Sequence, residues 1–460
     1  MNKAQNGKYE MDMCNGPLFK KILIFSLPLM LTGILQLLYN AADIIVVGRY
    51  AGSTSLAAVG ATSSLINLII NLFIGISIGS SVVVSQYYGA GKDKDVSETV
   101  HTSVAIGIIS GIVVGIFGMV MAKQLLILMG TPEEVLDKAT LYMRIYFAGM
   151  PATMLYNFGS AILRAVGDTR RPLYFLTVSG ILNVVLNLFF VIAFKMDVAG
   201  VALATVIAQC LSVTLVIICL MRFDGAIKLK LKELKIHKDK TLDIIRIGLP
   251  AGLQGTIFAI SNVLIQSAVN SFGAIVMAGN AAAANIECFV YVAMNSIYQT
   301  ALTFTGQNMG ARKAERIKKV FLICGILVIF VGVVVGGSAF IFSRYLLSIY
   351  STDTSVVDMG FIRMSIICTT YFLCGIMDVL VGMLRGMGYS ILPMLVTVGG
   401  VCGIRIAWLF TIFAENRTLR TLYLSYPISW IITAAIHFIC YLLVIKKISE
   451  RFKINTEVQC

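Results

Sequence analysis

Residues 86–92 read QYYGAGK, and residues 307–313 read QNMGARK. The two stretches lie 221 positions apart (86 and 307). Leu163-Arg164-x-x-Gly167 with Pro172 returns at the same displacement as Leu384-Arg385-x-x-Gly388 with Pro393. Leu27-Pro28 returns as Leu249-Pro250, displaced by 222. A near-constant displacement over three separate places marks an internal repeat that fills the chain.

What is repeated follows from composition. Of 460 residues, 58% are hydrophobic and 13% charged, with mean hydropathy +0.87. A soluble protein of this length cannot bury that much apolar surface. About 20 apolar residues cross a bilayer as a helix. Twelve such segments are expected near 19–47, 57–86, 98–122, 139–163, 173–194, 199–221, 242–271, 281–305, 317–342, 357–384, 391–413 and 421–445. The first is too long for a signal peptide and lacks a small-residue cleavage site. Each repeat then holds six spans, and an even number returns the chain to its starting side, so the copies are parallel. The expected fold is an all-α integral membrane protein of about twelve transmembrane helices in two six-helix bundles. The expected parts are a tail at 1–18, an N-lobe at 19–221, a basic linker at 222–241, a C-lobe at 242–445 and a tail at 446–460.

The formal charge of +14 invites a nucleic-acid reading, which the distribution of charge removes. Most Lys and Arg fall at one set of span ends, including Lys20, Lys21, Arg170, Arg171, Arg312, Lys313, Lys446 and Lys447. The opposite ends hold only Arg49, Lys123, Lys138, Lys195, Arg344, Arg417 and Arg420. Arg144, Arg246, Arg363 and Arg405 lie inside spans. By the positive-inside rule both termini are cytoplasmic in a plasma (inner) membrane protein. The linker Gly225–Lys240 (GAIKLKLKELKIHKDK) either lies on anionic headgroups or is simply solvated.

Chemistry-bearing motifs are few. The ten cysteines form no CxxC, and most sit in apolar segments, which excludes a disulfide framework or zinc site. His101, His237 and His437 are too scattered to share a metal. Gly89-Ala-Gly-Lys92 is not a phosphate loop, because Gln86 and Asp93 stand where Gly and Ser or Thr are needed. There is no HExxH and no clustered His/Asp set, so an enzyme is a remote alternative. Pro28, Pro172, Pro250 and Pro393 are expected near helix starts; Pro151 and Pro427 lie deeper and are candidate kinks.

Ionisable groups inside spans are costly and are therefore functional candidates. Asp43 lies roughly 6 Å below the outer end of the first segment. Asn187 and Asn183 lie roughly 11 and 17 Å below the end of the fifth, and share a face at i, i+4. Thr205 lies roughly 9 Å into the sixth. A carboxylate near two amides and a hydroxyl can hold a proton or a small hard cation; hydrated packing of the same groups is the plain alternative. Asp43 has no acidic repeat partner, since Leu264 and Ile265 stand there. In the second half, Glu287 lies roughly 9 Å and Arg405 roughly 12 Å from their outer ends, and an ion pair between them is expected. Asp378, roughly 9 Å from the inner end of the tenth span, is a further charged candidate. Tyr39, Asn157, Asn262, Gln266, Tyr291 and Met294 are candidates for lining a substrate cleft, with plain packing as the alternative.

These residues carry a resemblance. Asp43-x4-Gly48-Arg49 followed by Leu56-Ala-Ala-Val-Gly60, Leu163-Arg-Ala-x-Gly-Asp-Thr-Arg170 with Pro172, Gly200-Val-Ala-x-Ala-Thr205, and Leu384-Arg-Gly386 with Pro393 occur in order. In this the chain resembles the multidrug and toxic compound extrusion (MATE) family, over nearly its whole length. The resemblance implies twelve helices in two lobes and export of organic, cationic amphipathic compounds driven by inward Na⁺ or H⁺. It implies a prokaryotic, monomeric transporter of small molecules in a lipid bilayer, with no cofactor beyond the coupling ion. It also implies a cation or proton site at Asp43 with Asn183 and Thr205, and no metal beyond Na⁺ there. The chain departs where that branch often has Asp and this sequence has Asn187, which leaves one carboxylate in the pocket. The alternatives are a lipid-linked saccharide flippase or a dedicated metabolite exporter of the same superfamily.

Overall fold

The computed structural model describes residues 9–457, apart from the side chains of Ser53, Ser64 and 455–457. Residues 1–8 of the first tail and residues 458–460 of the last therefore lie outside the described residues. The helices are α1 Leu18–Val46, α2 Ser53–Gly89, α3 Asp93–Leu128, α4 Glu133–Ala148, α5 Met150–Ala165, α6 Arg170–Leu188, α7 Asp197–Met221, α8 Lys238–Asn270, α9 Ala274–Gly310, α10 Ala314–Val331, α11 Gly337–Ile341, α12 Ser343–Ser348, α13 Thr354–Gly386, α14 Ile391–Thr397, α15 Ile404–Phe410, α16 Ile412–Glu415 and α17 Leu419–Glu457. No strand occurs among the described residues.

Eleven of the resulting helical stretches are long and apolar enough to cross a membrane. The twelfth span is α4 with α5, which the chain breaks at Gly149 just before Pro151. Proline is tolerated in a first helical turn, where its missing N–H leaves nothing unpaired, so a break placed there costs little. The other candidate kink differs: α17 runs from Leu419 to Glu457 without a break around Pro427. Large apolar side chains such as Ile109, Ile112, Val113, Ile116 and Val120 of α3 are exposed, as lipid contact requires.

The repeat extends to individual hydrogen bonds. Asp168 donates its backbone N–H to Leu163 O at 3.0 Å, and Tyr389 to Leu384 O at 2.9 Å. Gly167 and Gly388 turn those corners at φ 98° and 92°, a region cheap only for glycine. Lys92 donates to Tyr87 O at 3.1 Å and Lys313 to Asn308 O at 2.9 Å. In that second pair of turns Gly91 has φ 68°, while its repeat partner Arg312 holds φ 55°. A left-handed non-glycine residue costs roughly 1–2 kcal/mol. Asp168 also caps α6, accepting from the Arg171 N–H at 3.1 Å. Burial pushes its carboxyl up to about 6, against the opposing pull of Arg171.

Two compact units result, and their boundaries depart from those expected. Unit 1 comprises residues up to Asp12 and Leu31–Gly252; unit 2 comprises Met13–Met30 and Leu253 onward. The first part of α1 thus belongs to unit 2, and the first part of α8 to unit 1. Pro28 and Pro250 lie inside these helices, not at their starts, and each precedes its exchange point by two residues. A proline there removes one i→i−4 hydrogen bond, which loosens the helix where it changes unit.

Small residues explain why α8 begins in unit 1. Gly75 and Gly79 of α2 face Gly248 and Gly252 of α8 so closely that a Cβ on Gly75 would stand 2.1 Å from Gly252 N. Paired glycines four apart let membrane helices touch backbone to backbone. Gly75→Val is expected to lower stability by about 1–3 kcal/mol, as overpacking does. Thermal unfolding of the detergent-solubilised protein measures it, with Gly60→Ala, where nothing lies within 4 Å, as the neutral control. Equal melting of both variants would refute the close approach.

The linker is held against unit 1. Ile227 and Leu229 are buried with Val96, Val100 and Val104 of α3. His101 accepts the Lys230 N–H at 3.1 Å, and Thr102 accepts the His237 N–H at 3.2 Å. Its lysines Lys228, Lys230, Lys232 and Lys235 remain exposed. The linker is thus neither wholly solvated nor free to lie flat on a bilayer.

Candidate functional site

Asp43 sits near the end of α1, one turn before a π-helical turn at Val47–Ala51. Asn187 likewise precedes a π-helical turn, Phe189–Ala193. Such turns recur at functional sites. The structure joins all four residues singled out in unit 1. Asn187 Nδ2 donates to Asp43 Oδ1 and also to Asn183 Oδ1, the latter at 3.2 Å. Asn183 Nδ2 donates to Thr205 Oγ1 at 3.3 Å, and Thr205 donates to Val201 O at 3.0 Å. Because the Asn187 amide nitrogen must face two acceptors, its oxygen points away. That oxygen is buried without a hydrogen-bond partner. Asp43 itself has no cationic partner among the described residues.

These groups open on a cavity of 260 Å³ within unit 1. Asp43, Asn183 and Thr205 line it, with Tyr39 and Asn157 of the proposed cleft set. Tyr39 donates to Thr177 O at 3.3 Å, and Gly180 makes room for its ring, since a Cβ there would stand 1.8 Å from Cζ. Asn157 donates to Thr153 O at 3.0 Å. Gln36, Asn40, Asn67 and Gln209 also face the cavity and were not singled out from sequence. Gln36 and Asn40 continue the Asp43 face of α1 at helical spacing, which was the available signal. The lining contains no Lys, Arg or His.

Unit 2 corrects the expected ion pair. Glu287 does not pair with Arg405; Arg363 takes both its oxygens, Nε to Oε1 at 2.9 Å and Nη2 to Oε2 at 2.7 Å. Arg363 Nη1 donates to Asn280 Oδ1 at 2.7 Å, and Tyr423 donates to the same oxygen at 3.1 Å. Arg405 instead donates to Ser429 Oγ at 3.2 Å and lies 4.1 Å from the Tyr426 ring centroid. A bidentate fork in a dry site beats a lone guanidinium, and the aromatic faces accept the one left over. Asp378 is half-buried with no hydrogen bond or ion pair among the described residues. Arg385, seven residues on, is held by Tyr298 at 2.8 Å and Gln254 at 2.7 Å.

The four cleft candidates of unit 2 have separate surroundings. Asn262 accepts from Arg405 at 3.5 Å. Gln266 bridges Asn270 at 2.8 Å and Asn280 at 2.9 Å, so it belongs to the Arg363 network. Tyr291 is exposed and accepts from Asn295 at 3.2 Å. Met294 is fully buried and packs near Gly375, so it lines no cleft here.

A polar cavity with a single carboxylate, enclosed by repeated membrane-spanning helices, is the build of a solute transporter. The MatE family model matches residues 28–189 and again residues 250–411, once in each repeat, and the chain belongs to that family. The chain is 25% identical over 448 residues to the probable multidrug resistance protein YoeA of Bacillus subtilis, covering 93% of this chain and 94% of that one. It is 24% identical over 375 residues to the multidrug export protein MepA of Staphylococcus aureus, covering 81% and 82%. Among solved structures, an outward-facing multidrug resistance MATE transporter superposes with TM-score 0.90 at 22% identity, covering 97% of this chain and 100% of that one. A Pyrococcus furiosus transporter of the MOP superfamily, described by a binding pocket of reversed polarity, superposes with TM-score 0.90 at 23% identity, covering 97% and 99%.

Proposed function

We propose that the chain is a secondary antiporter that exports organic, cationic amphipathic compounds, coupled to inward Na⁺ or H⁺ by alternating access. The observation that carries this is Asp43, a membrane-embedded carboxylate with amide neighbours and no cationic partner among the described residues. Such a charge is costly in a span unless a proton or cation joins it. The buried, unpartnered oxygen of Asn187 is a further acceptor next to it. An organic cation competes with the coupling ion for the same negative cavity, so each favours a different state. The multidrug names of the YoeA and MepA relatives support the substrate class. The absence of Lys, Arg and His from the cavity lining argues against a flippase for anionic lipid-linked saccharides. The excess of basic residues at one set of span ends supports cytoplasmic termini in the inner membrane. The repeat supplies both lobes, so a monomer suffices.

Purified protein in proteoliposomes, given Na⁺ and proton gradients separately, tests the reading with ethidium as the probe. One gradient is expected to drive ethidium movement. If neither does, the antiport reading fails.

A further inference from the structure

We propose that a basic pocket in unit 2 binds the phosphate of an anionic phospholipid headgroup. The turn between α9 and α10 and the end of α17 border an open pocket of 470 Å³. Arg312, Lys313, Arg316, Lys319 and Lys453 line it, with Glu315 as the one acid. Glu315 is engaged by Lys318 at 2.6 Å, outside that lining. Lys313 and Arg316 bind only neutral oxygens of Met13–Asn15, such as Cys14 O at 2.8 Å and Met13 O at 3.1 Å. Arg312, Lys319 and Lys453 make no ion pair within 4.0 Å among the described residues, and Glu315 offers Lys319 and Lys453 only a more distant attraction. Five converging cations with so little compensation repel one another unless an anion joins them.

Topology alone calls for basic residues at these helix ends, but not for two further features. The Ser449 hydroxyl in the pocket wall is buried and without a hydrogen-bond partner, ready to donate to an oxygen. Arg312 holds a left-handed backbone where the repeat in unit 1 uses Gly91. The second unit thus keeps a strained residue that puts a guanidinium at this pocket, and retained strain points to use.

The surroundings choose a lipid over a soluble phosphate. Lys319, Leu322 and Ile326 follow one another down one face of α10 at helical spacing, with Leu322 60% and Ile326 58% exposed. On α17, exposed Leu442 lies two turns before Ser449 on the same face. Phe321 and Tyr441, with ring centroids 4.6 Å apart, hold α10 to α17. The cations therefore crown an apolar face that lies along acyl chains, as a headgroup site requires.

Native mass spectrometry and thermal unfolding of the full-length protein, titrated with phosphatidylglycerol or phosphatidylcholine, test this. The wild type is expected to prefer phosphatidylglycerol by on the order of tenfold or more, the scale of three cations near an anionic headgroup. Arg312→Gly with Lys319→Gln and Lys453→Gln is expected to lose that preference while folding normally, since glycine suits φ at 312. An unchanged preference in the triple variant overturns the proposal, as does a wild type that does not discriminate. Displacement of phosphatidylglycerol by millimolar inorganic phosphate overturns the lipid assignment in favour of a soluble phosphate.

Discussion

Asp43→Asn is expected to cut gradient-driven efflux by about tenfold or more while leaving the protein folded. The substitution keeps the shape of the side chain and an oxygen to accept from Asn187, so the chain of hydrogen bonds through Asn183 to Thr205 survives. What disappears is the charge, and with it any preference of the cavity for a proton or Na⁺. The cavity has no other carboxylate to take over, because Asn187 occupies the remaining buried position beside it. Couplings between two ligands are typically worth about 1–3 kcal/mol, or roughly 5–150-fold. A fall of about tenfold or more in ethidium transport under the driving gradient is therefore expected, with an unfolding midpoint near that of the wild type. Wild-type transport by the variant would remove Asp43 from the coupling step.

Glu287→Gln is expected to be the most destabilising conservative change in unit 2. It leaves the Arg363 guanidinium buried, with one neutral oxygen where a carboxylate fork had been. Breaking a buried pair from one side costs about 3–5 kcal/mol. Replacing both partners by apolar residues of similar volume, Glu287→Leu with Arg363→Met, is expected to recover most of that loss, because no charge is then stranded. Arg405→Met combined with Glu287→Gln is expected to couple far less than Glu287 does with Arg363, since these two residues share no hydrogen bond and meet only through Tyr426, whose ring both Arg363 and Arg405 face. Thermal unfolding of the set decides it. Additivity of Glu287 with Arg363, or strong coupling with Arg405, would contradict the observed pairing.

The spans and the repeat were legible because both depend on properties that sequence carries directly. Apolar length sets a crossing, and the displaced pairs at Leu163 and Leu384 mark turns closed by the same hydrogen bond. The meeting of Asp43, Asn183, Asn187 and Thr205 followed from depth and helical spacing. The same depth count contained the right partner for Glu287. On the expected bounds Arg363 lies roughly 9 Å inside its span, level with Glu287, while Arg405 lies roughly 12 Å inside its own. Depth alone cannot say which helices touch, and that choice was made by contacts outside the pair: Asn280 and Tyr423 around Arg363, Tyr426 and Ser429 around Arg405. The break at Gly149 was half visible through Pro151. The unit boundaries were not legible, because they depend on which glycines meet, and Gly248 could have faced any small-residue stripe.

The exchange of the leading parts of α1 and α8 has a consequence for how the chain is made. Residues 13–30 emerge from the ribosome long before the rest of unit 2, and residues 238–252 complete unit 1 only after the linker has been synthesised. Each unit therefore draws one segment from the other half of the gene. Severing the coding sequence within the linker would give two fragments, each missing a strip of its own interior and carrying one that belongs to the other. The sequence duplicates a module, and a cut between the two copies does not fall between the two units.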